Sequence, residues 1–228
     1  MMDSSRSFLI YGEKPIKKLE NSSVILFGVG GVGGSVLESL VRHGVGNITI
    51  VDFDEIVSSN MNRQIQFTSS DIGKYKVDAA RDRVLSINPL CNIITINERY
   101  GIQSTLQLDC YDYVIDAIDD INAKVLLVSR CQAVNTKLIM SGGMGNRIDP
   151  SQIRIVSLAN TEGDPLAKKL RTELRKQSLD VSKVRIAFST ELPIRRETPV
   201  GSTYSCPNAA GILIAQEVIN SLLKMEDK

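Results

Sequence analysis

The chain has 228 residues, 43% hydrophobic and 23% charged, with 27 basic against 26 acidic side chains and a formal charge of +1. That is enough apolar material for one large α/β domain or two small ones, and it excludes a uniformly basic surface, so any nucleic-acid contact needs a local patch. No apolar run is long enough to span a bilayer, the polar start Met2-Asp3-Ser4-Ser5-Arg6-Ser7 lacks a signal-peptide core, and four cysteines without a C-x-x-C pair (Cys91, Cys110, Cys131, Cys206) argue against zinc and for reduced thiols in the cytoplasm.

In chain order, the apolar run at 24–27 predicts a buried strand. It ends in Gly28-Val29-Gly30-Gly31-Val32-Gly33, and a helical pattern follows over 33–42. Further strands are predicted at 48–52, 93–96, 113–118 and 138–141, with helices at 76–87 and 122–134. In the helix at 76–87, Val77, Ala80, Val84 and Ile87 form one apolar stripe that Asn88-Pro89 stops. Alternation of this kind implies a Rossmann-like, doubly wound, mostly parallel sheet covered on both faces. After Gly142-Gly143 the pattern changes to a strand at 152–158, a basic helix at 165–177, a strand at 184–190 and an apolar helix at 207–223. A loop predicted to be mobile fills 191–205. We read one α/β domain over 1–228, its nucleotide-binding part at 1–150 and a C-terminal extension for substrate and dimerisation at 151–228.

The glycine run carries the first functional signal. A strand that turns tightly into a helix leaves backbone N–H groups free for a phosphate: Gly28 permits the turn, Gly30 the approach of the phosphate, Gly33 close helix–strand packing. About twenty residues on, an acidic residue at the end of the second strand suits ribose hydroxyls; Asp54 is the first choice and Asp52 the second. To this point NAD and ATP fit equally. The next residues favour ATP: Asn60, Arg63 and Gln64, then Lys76, then Asp116-Ala117-Ile118-Asp119-Asp120. Arg63 and Lys76 suit the charge on phosphate oxygens, and Asp119 suits a Mg²⁺ that bridges them, with Asp116 the other carboxylate in view. Taken alone, Arg63 reads as a surface ion-pair residue and the aspartates as helix caps; their order in the chain argues for the site.

The ordered set G-x-G-G-x-G, D-x-D, N-x-x-R-Q, Lys76, I-N-P and D-A-I-D resembles the ubiquitin-activating-enzyme-like (ThiF/MoeB-type) adenylation superfamily. Within it the chain is similar to the tRNA threonylcarbamoyladenosine dehydratase family. The narrower marks are Tyr11-Gly12-Glu13, Gly142-Gly143-Met144-Gly145-Asn146 with Asp149-Pro150, Asp164-Pro165-Leu166-Ala167, Phe188-Ser189-Thr190-Glu191 and the stretch from Gly201-Ser202 through Pro207 to Ala210-Gly211. The resemblance implies an ATP- and Mg²⁺-dependent enzyme that forms an acyl-adenylate on modified tRNA. Gly28, Gly30, Gly31, Gly33, Asp54, Asn60, Arg63, Gln64, Lys76 and Asp119 would form its ATP site, with Arg63, Lys76 and Asp119 catalytic and Asp119 on the metal. It also implies a homodimer in which Arg6 reaches the neighbour's site as a finger, a tail residue being the other reading, and a cysteine-desulfurase or sulfur-acceptor partner. The alternative is an adenylyltransferase for the C-terminus of a ubiquitin-like sulfur carrier. The residues around Ser202–Asn208, Tyr204 and Cys206 among them, depart from the family.

Three readings remain. His43, the one histidine, sits at a helix end before Gly44 and reads as a C-terminal cap. Cys206 reads as a buried helix-start cysteine in preference to a thioester nucleophile. Between Lys168 and Arg196, nine basic side chains (Lys168, Lys169, Arg171, Arg175, Lys176, Lys183, Arg185, Arg195, Arg196) face three acidic ones, a local excess of six that suits RNA phosphates.

Overall fold

A computed structural model of the chain describes residues 3–194 and 200–223. Its centre is one seven-stranded sheet: β1 (Ser23–Phe27), β2 (Asn47–Val51), β3 (Asn92–Ile96), β4 (Tyr113–Asp116), β5 (Leu138–Ser141), β6 (Ile153–Ser157) and β7 (Arg185–Ser189). The order is β3-β2-β1-β4-β5-β7-β6, every pairing parallel except the antiparallel edge strand β6 against β7. β4 and β5 are buried along their whole length, which is why they read as unbroken apolar runs rather than alternating ones.

Helices cover both faces. Against one face lie α2 (Glu13–Asn21), α3 (Gly31–Arg42), α4 (Lys76–Ile87) and α7 (Ser205–Leu223), around Leu26, Val36, Leu40, Ile214 and Val218. Against the other lie α5 (Ile121–Val134) and α6 (Pro165–Lys176), around Phe27, Val114, Leu127, Leu170 and Ile186. The first helix, α1 (Ser5–Tyr11), has no buried residue and packs on α2.

The predicted elements recur with small shifts that side chains explain. β2 stops at Val51 because the Asp52 carboxylate accepts the main-chain N–H groups of Val29 and Asp54 and so bends the chain out of the ladder. β4 stops at Asp116, two residues early, because Asp116 Oδ1 accepts the N–H of Ile118. Neither α1 nor α2 was expected. The α2 helix buries only Ile16 and Leu19, too few apolar positions for a period to show, and its proline sits in the first turn, where no N–H is missed.

The strand order reverses between β1 and β4, so the loops after their C-terminal ends part and open a crevice. The C-terminal part adds to the same crevice: β7 pairs with β5, and α7 packs along α3.

Candidate active site

At that crevice lies a cleft of about 640 Å³. Its floor is the turn from β1 into α3. Gly28 has φ +84°, and a Cβ there would lie 2.9 Å from the carbonyl oxygen of Ala117. At Gly33 a Cβ would lie 1.8 Å from the carbonyl oxygen of Gly28, so strand end and helix start meet at a distance only glycine allows. No side chain caps α3, which leaves its first-turn N–H groups for a ligand. Two side chains brace the turn from behind. Asp52 accepts the N–H of Val29 at 2.8 Å, and Gln66 Nε2 donates to the carbonyl oxygen of Val29.

The two acidic candidates divide the work. Asp52 is buried, with both oxygens bonded to main-chain N–H groups, and burial raises its carboxyl pKa from its ordinary value. Asp54 is half exposed in the cleft, where its Oδ2 lies 2.6 Å from Nζ of the buried Lys76. Asp54 is therefore the one free to meet a ribose, and it also orients Lys76. Asn60 and Gln64 are buried at the cleft wall; the Asn60 side-chain oxygen accepts the N–H of Val57, which makes it a turn former as well. Arg63 lines the cleft with Nη1 donating to the Ser59 carbonyl and to Asn62 Oδ1, both at 2.8 Å.

The Asp116–Asp120 run separates into three roles. Asp116 is fully buried and bonded to Lys124 and Ile118, so it faces no ligand. Asp120 caps α5 by accepting the N–H groups of Asn122 and Ala123 and pairs with Arg99 at 3.1 Å. Asp119 lies exposed in the cleft and, among the described residues, engages no hydrogen bond or ion pair. A lone carboxylate beside a phosphate site fits Mg²⁺, which takes one or two protein oxygens and completes its shell from phosphates and water. Among the described residues no three His, Cys, Asp or Glu side chains cluster to form a self-sufficient metal cage.

The far wall comes from later in the chain: Ser141 to Gly145, Leu166, Val200, Ser202 and Pro207. Several residues that shape it stand in the sequence only as members of family marks, with no role attached. Asp164 is buried, accepts the N–H of Gly143 at 3.0 Å and caps α6. The carboxylate of Glu191 accepts the N–H groups of Ile148 and Asp149, and its main-chain carbonyl accepts from Arg147. Asn208, at the start of α7, donates to the Arg63 and Tyr204 carbonyls and accepts from the Ser35 hydroxyl, joining α7 to the segment that carries Arg63. The Asp-Pro start of α6 is a local capping signal, but the bonds to Gly143, Ile148, Asp149, Arg63 and Ser35 join residues far apart in sequence, and no local pattern reveals those.

Outside the cleft, Arg6 lies on the exposed helix α1 and does not line the site of its own chain. His43 Nδ1 donates to the Ser39 carbonyl, 2.7 Å away, as a residue closing α3. Cys206 is fully buried, and burial raises its thiol pKa, the opposite of what a nucleophile needs. Much of the basic stretch is engaged in contacts within the fold. Arg171 donates to the Leu158 and Thr161 carbonyls, Arg185 pairs with Glu217, and Lys176 pairs with Glu173, both at 2.8 Å. Arg195 and Arg196 lie outside the described residues. Lys168, Lys169 and Arg175 remain exposed on α6, a helix whose first turn reaches the cleft at Leu166.

A glycine-rich switch-point cleft with an arginine, a lysine and an aspartate around it defines a nucleotide-dependent adenylating class. The chain matches the ThiF family over residues 3–228 and belongs to it. It is 37% identical to the tRNA threonylcarbamoyladenosine dehydratase of Bacillus subtilis (strain 168), over 96% of this chain and 94% of that one. To the enzyme of the same name from Escherichia coli (strain K12) it is 36% identical, over 80% of this chain and 71% of that one. Among solved structures, the E. coli tRNA N6-threonylcarbamoyladenosine dehydratase in complex with ATP superposes with a TM-score of 0.87 at 30% identity, covering 96% of this chain and 93% of that one. A probable molybdopterin-synthase adenylyltransferase of Porphyra purpurea is also 37% identical, but over 52% of this chain and 31% of its own length.

Proposed function

We propose that the chain is an ATP-dependent dehydratase of threonylcarbamoyl-adenosine in the tRNA anticodon loop, working in the cytoplasm as a single adenylation unit. One observation carries this reading: a single cleft gathers Gly28, Gly30, Gly31, Asp54, Asn60, Arg63, Gln64, Lys76 and Asp119, in a chain that aligns almost end to end with a relative bearing that enzyme's name.

The threonyl carboxylate attacks the α-phosphorus of ATP, the bond from that phosphorus to the bridging oxygen breaks, and pyrophosphate leaves. The carbamoyl portion then attacks the activated carbonyl and closes a ring. AMP departs with the former carboxylate oxygen and a proton passes to solvent, so the net change is loss of one water. The α3 N-terminus and its glycines cradle phosphate oxygens. Arg63, and Lys76 held by Asp54, offset their charge, and the Asp54 carboxylate receives the ribose hydroxyls. Asp119 would hold Mg²⁺, which neutralises charge on the phosphates when bound. In a homodimer, Arg6 of a second copy would add its charge at the pyrophosphate. Residues 1–150 supply the nucleotide half, and residues 151–228 the acyl wall and dimer contacts. Little acid–base work is asked of the side chains; positioning and charge neutralisation supply the acceleration.

The test is mass spectrometry of nucleosides from tRNA incubated with the protein and ATP. The modified adenosine is expected to become lighter by one water. An unchanged nucleoside, together with ATP–pyrophosphate exchange stimulated by a carrier protein ending in Gly-Gly, would overturn the reading in favour of the sulfur-carrier alternative.

A further inference from the structure

Behind the cleft, at the C-terminal ends of β4 and β5, lies a buried ion pair. Lys124 and Asp116 are both 0% exposed. Lys124 Nζ donates to Asp116 Oδ2 at 3.1 Å and to the Ser141 carbonyl oxygen at 2.9 Å. The other Asp116 oxygen accepts the N–H of Ile118 at 2.9 Å, so one carboxylate both receives the lysine and shapes the turn that presents Asp119. On the β5 side, Ser141 leads into Gly142 and Gly143, and the Ser141 hydroxyl donates to the Gly142 carbonyl at 3.0 Å. Both turns, Ala117 to Asp120 and Ser141 to Gly145, wall the cleft.

We infer that Lys124 is a positioning residue for this cleft: by bridging Asp116 and Ser141 it fixes the spacing between the turn that carries Asp119 and the glycine turn after β5. Fold stability alone does not account for a charge pair here. Its neighbours on α5 are the buried Val125, Leu127 and Val128, and buried ion pairs are commonly matched or bettered by apolar side chains of similar volume. Turn geometry does account for it. Lysine reaches across two strand ends with several donors, where an apolar side chain would leave the Ser141 carbonyl unbonded and the Asp116 turn unbraced. The Asp119 turn is then held from both sides, by this bridge and by the Asp120 cap on α5.

The inference rests on the assignment of Asp119 to the nucleotide site, so Asp119→Ala is the control. The informative variant is Asp116→Asn combined with Lys124→Met, which removes both charges at nearly constant volume. Its melting temperature is expected within a few degrees of the wild type, the cost of the Ser141 carbonyl left unbonded, whereas Lys124→Met alone, with a stranded carboxylate as well, should melt roughly 10 °C lower. ATP affinity measured by calorimetry should change less than about threefold, while kcat falls about 30-fold or more, because displacement of a site by an ångström costs that order of rate. A merely structural pair would recover kcat together with the melting temperature, and that result overturns the inference. Should the double variant not fold, the isosteric Asp116→Asn serves: its carboxamide cannot accept from both Ile118 and Lys124, so the same drop in kcat is expected and wild-type kcat refutes. If Asp119→Ala is itself fully active, the functional reading fails; if Asp119→Ala is inactive and the charge-free variant is not impaired, only the positioning role fails.

Discussion

In the proposed mechanism Arg63 and Asp119 are the two side chains on which the adenylating chemistry rests most directly, and they differ in how they are held. Arg63 is fixed by the Ser59 carbonyl and Asn62, whereas Asp119 stands unbonded among the described residues. Removing a group that stabilises developing phosphate charge typically costs about 10²–10³ in turnover. Arg63→Ala and Asp119→Ala are therefore expected to lose at least that much in kcat/KM of nucleoside dehydration, with melting temperatures within a few degrees of wild type; full activity in both would remove them from the mechanism. The cysteines make the opposite case. Burial pushes the Cys91 thiol up to about 11 and the Cys131 thiol up to about 12, raises that of Cys206, and leaves Cys110 exposed. At pH 8 a thiol reagent should thus label Cys110 alone in the native protein and all four cysteines after denaturation. Cys206→Ala should keep its turnover; its inactivation, with the fold intact, would revive the thioester reading.

At the scale of elements, α6 shows how composition overstates a patch. Its basic residues read as one cluster, yet Arg171 is spent on the turn at Leu158 and Thr161, and Lys176 on Glu173. Replacing Lys168, Lys169 and Arg175 with alanine is expected to weaken tRNA binding and to flatten its salt dependence by roughly two to three units of slope, with ATP affinity unchanged. Binding that keeps its strength and its salt slope would clear α6 of the role. Regular elements were legible for a physical reason: a doubly covered parallel sheet demands apolar strands, and α4 shows its stripe because it lies half exposed between the sheet and solvent. The glycine turn was legible because backbone crowding at Gly28 and Gly33 tolerates one residue type. Gln66, Lys124 and Asn208 were not. Each is a polar side chain whose function is a bond to a main-chain carbonyl remote in sequence, and nothing beside it in the chain marks that partner.

For the molecule as a whole, the nucleotide cleft is completed by the last helix. Asn208 ties the start of α7 to the Arg63 carbonyl and to Ser35 on α3, Asn62 donates to the Ser202 carbonyl at 2.9 Å, and Pro207 lies against the glycine turn. The stretch around Ser202–Asn208 is thus built into the wall of the cleft. Asn208→Ala would strand the Arg63 carbonyl and the Ser35 hydroxyl in a buried place, at a cost of about 1–3 kcal/mol, or several degrees in a chain of this size. Ligand binding adds a second axis. ATP at a hundred times its Kd should raise the wild-type melting temperature by roughly 5–10 °C through mass action alone. If α7 sets the position of Arg63, the alanine variant will lose stability and also gain less from ATP at that concentration, because its Kd has risen. Thermal scans of both proteins with and without ATP separate the cases. An equal ATP-induced rise in the two would confine Asn208 to holding the fold, whereas a smaller rise in the variant makes the C-terminal helix part of the nucleotide site.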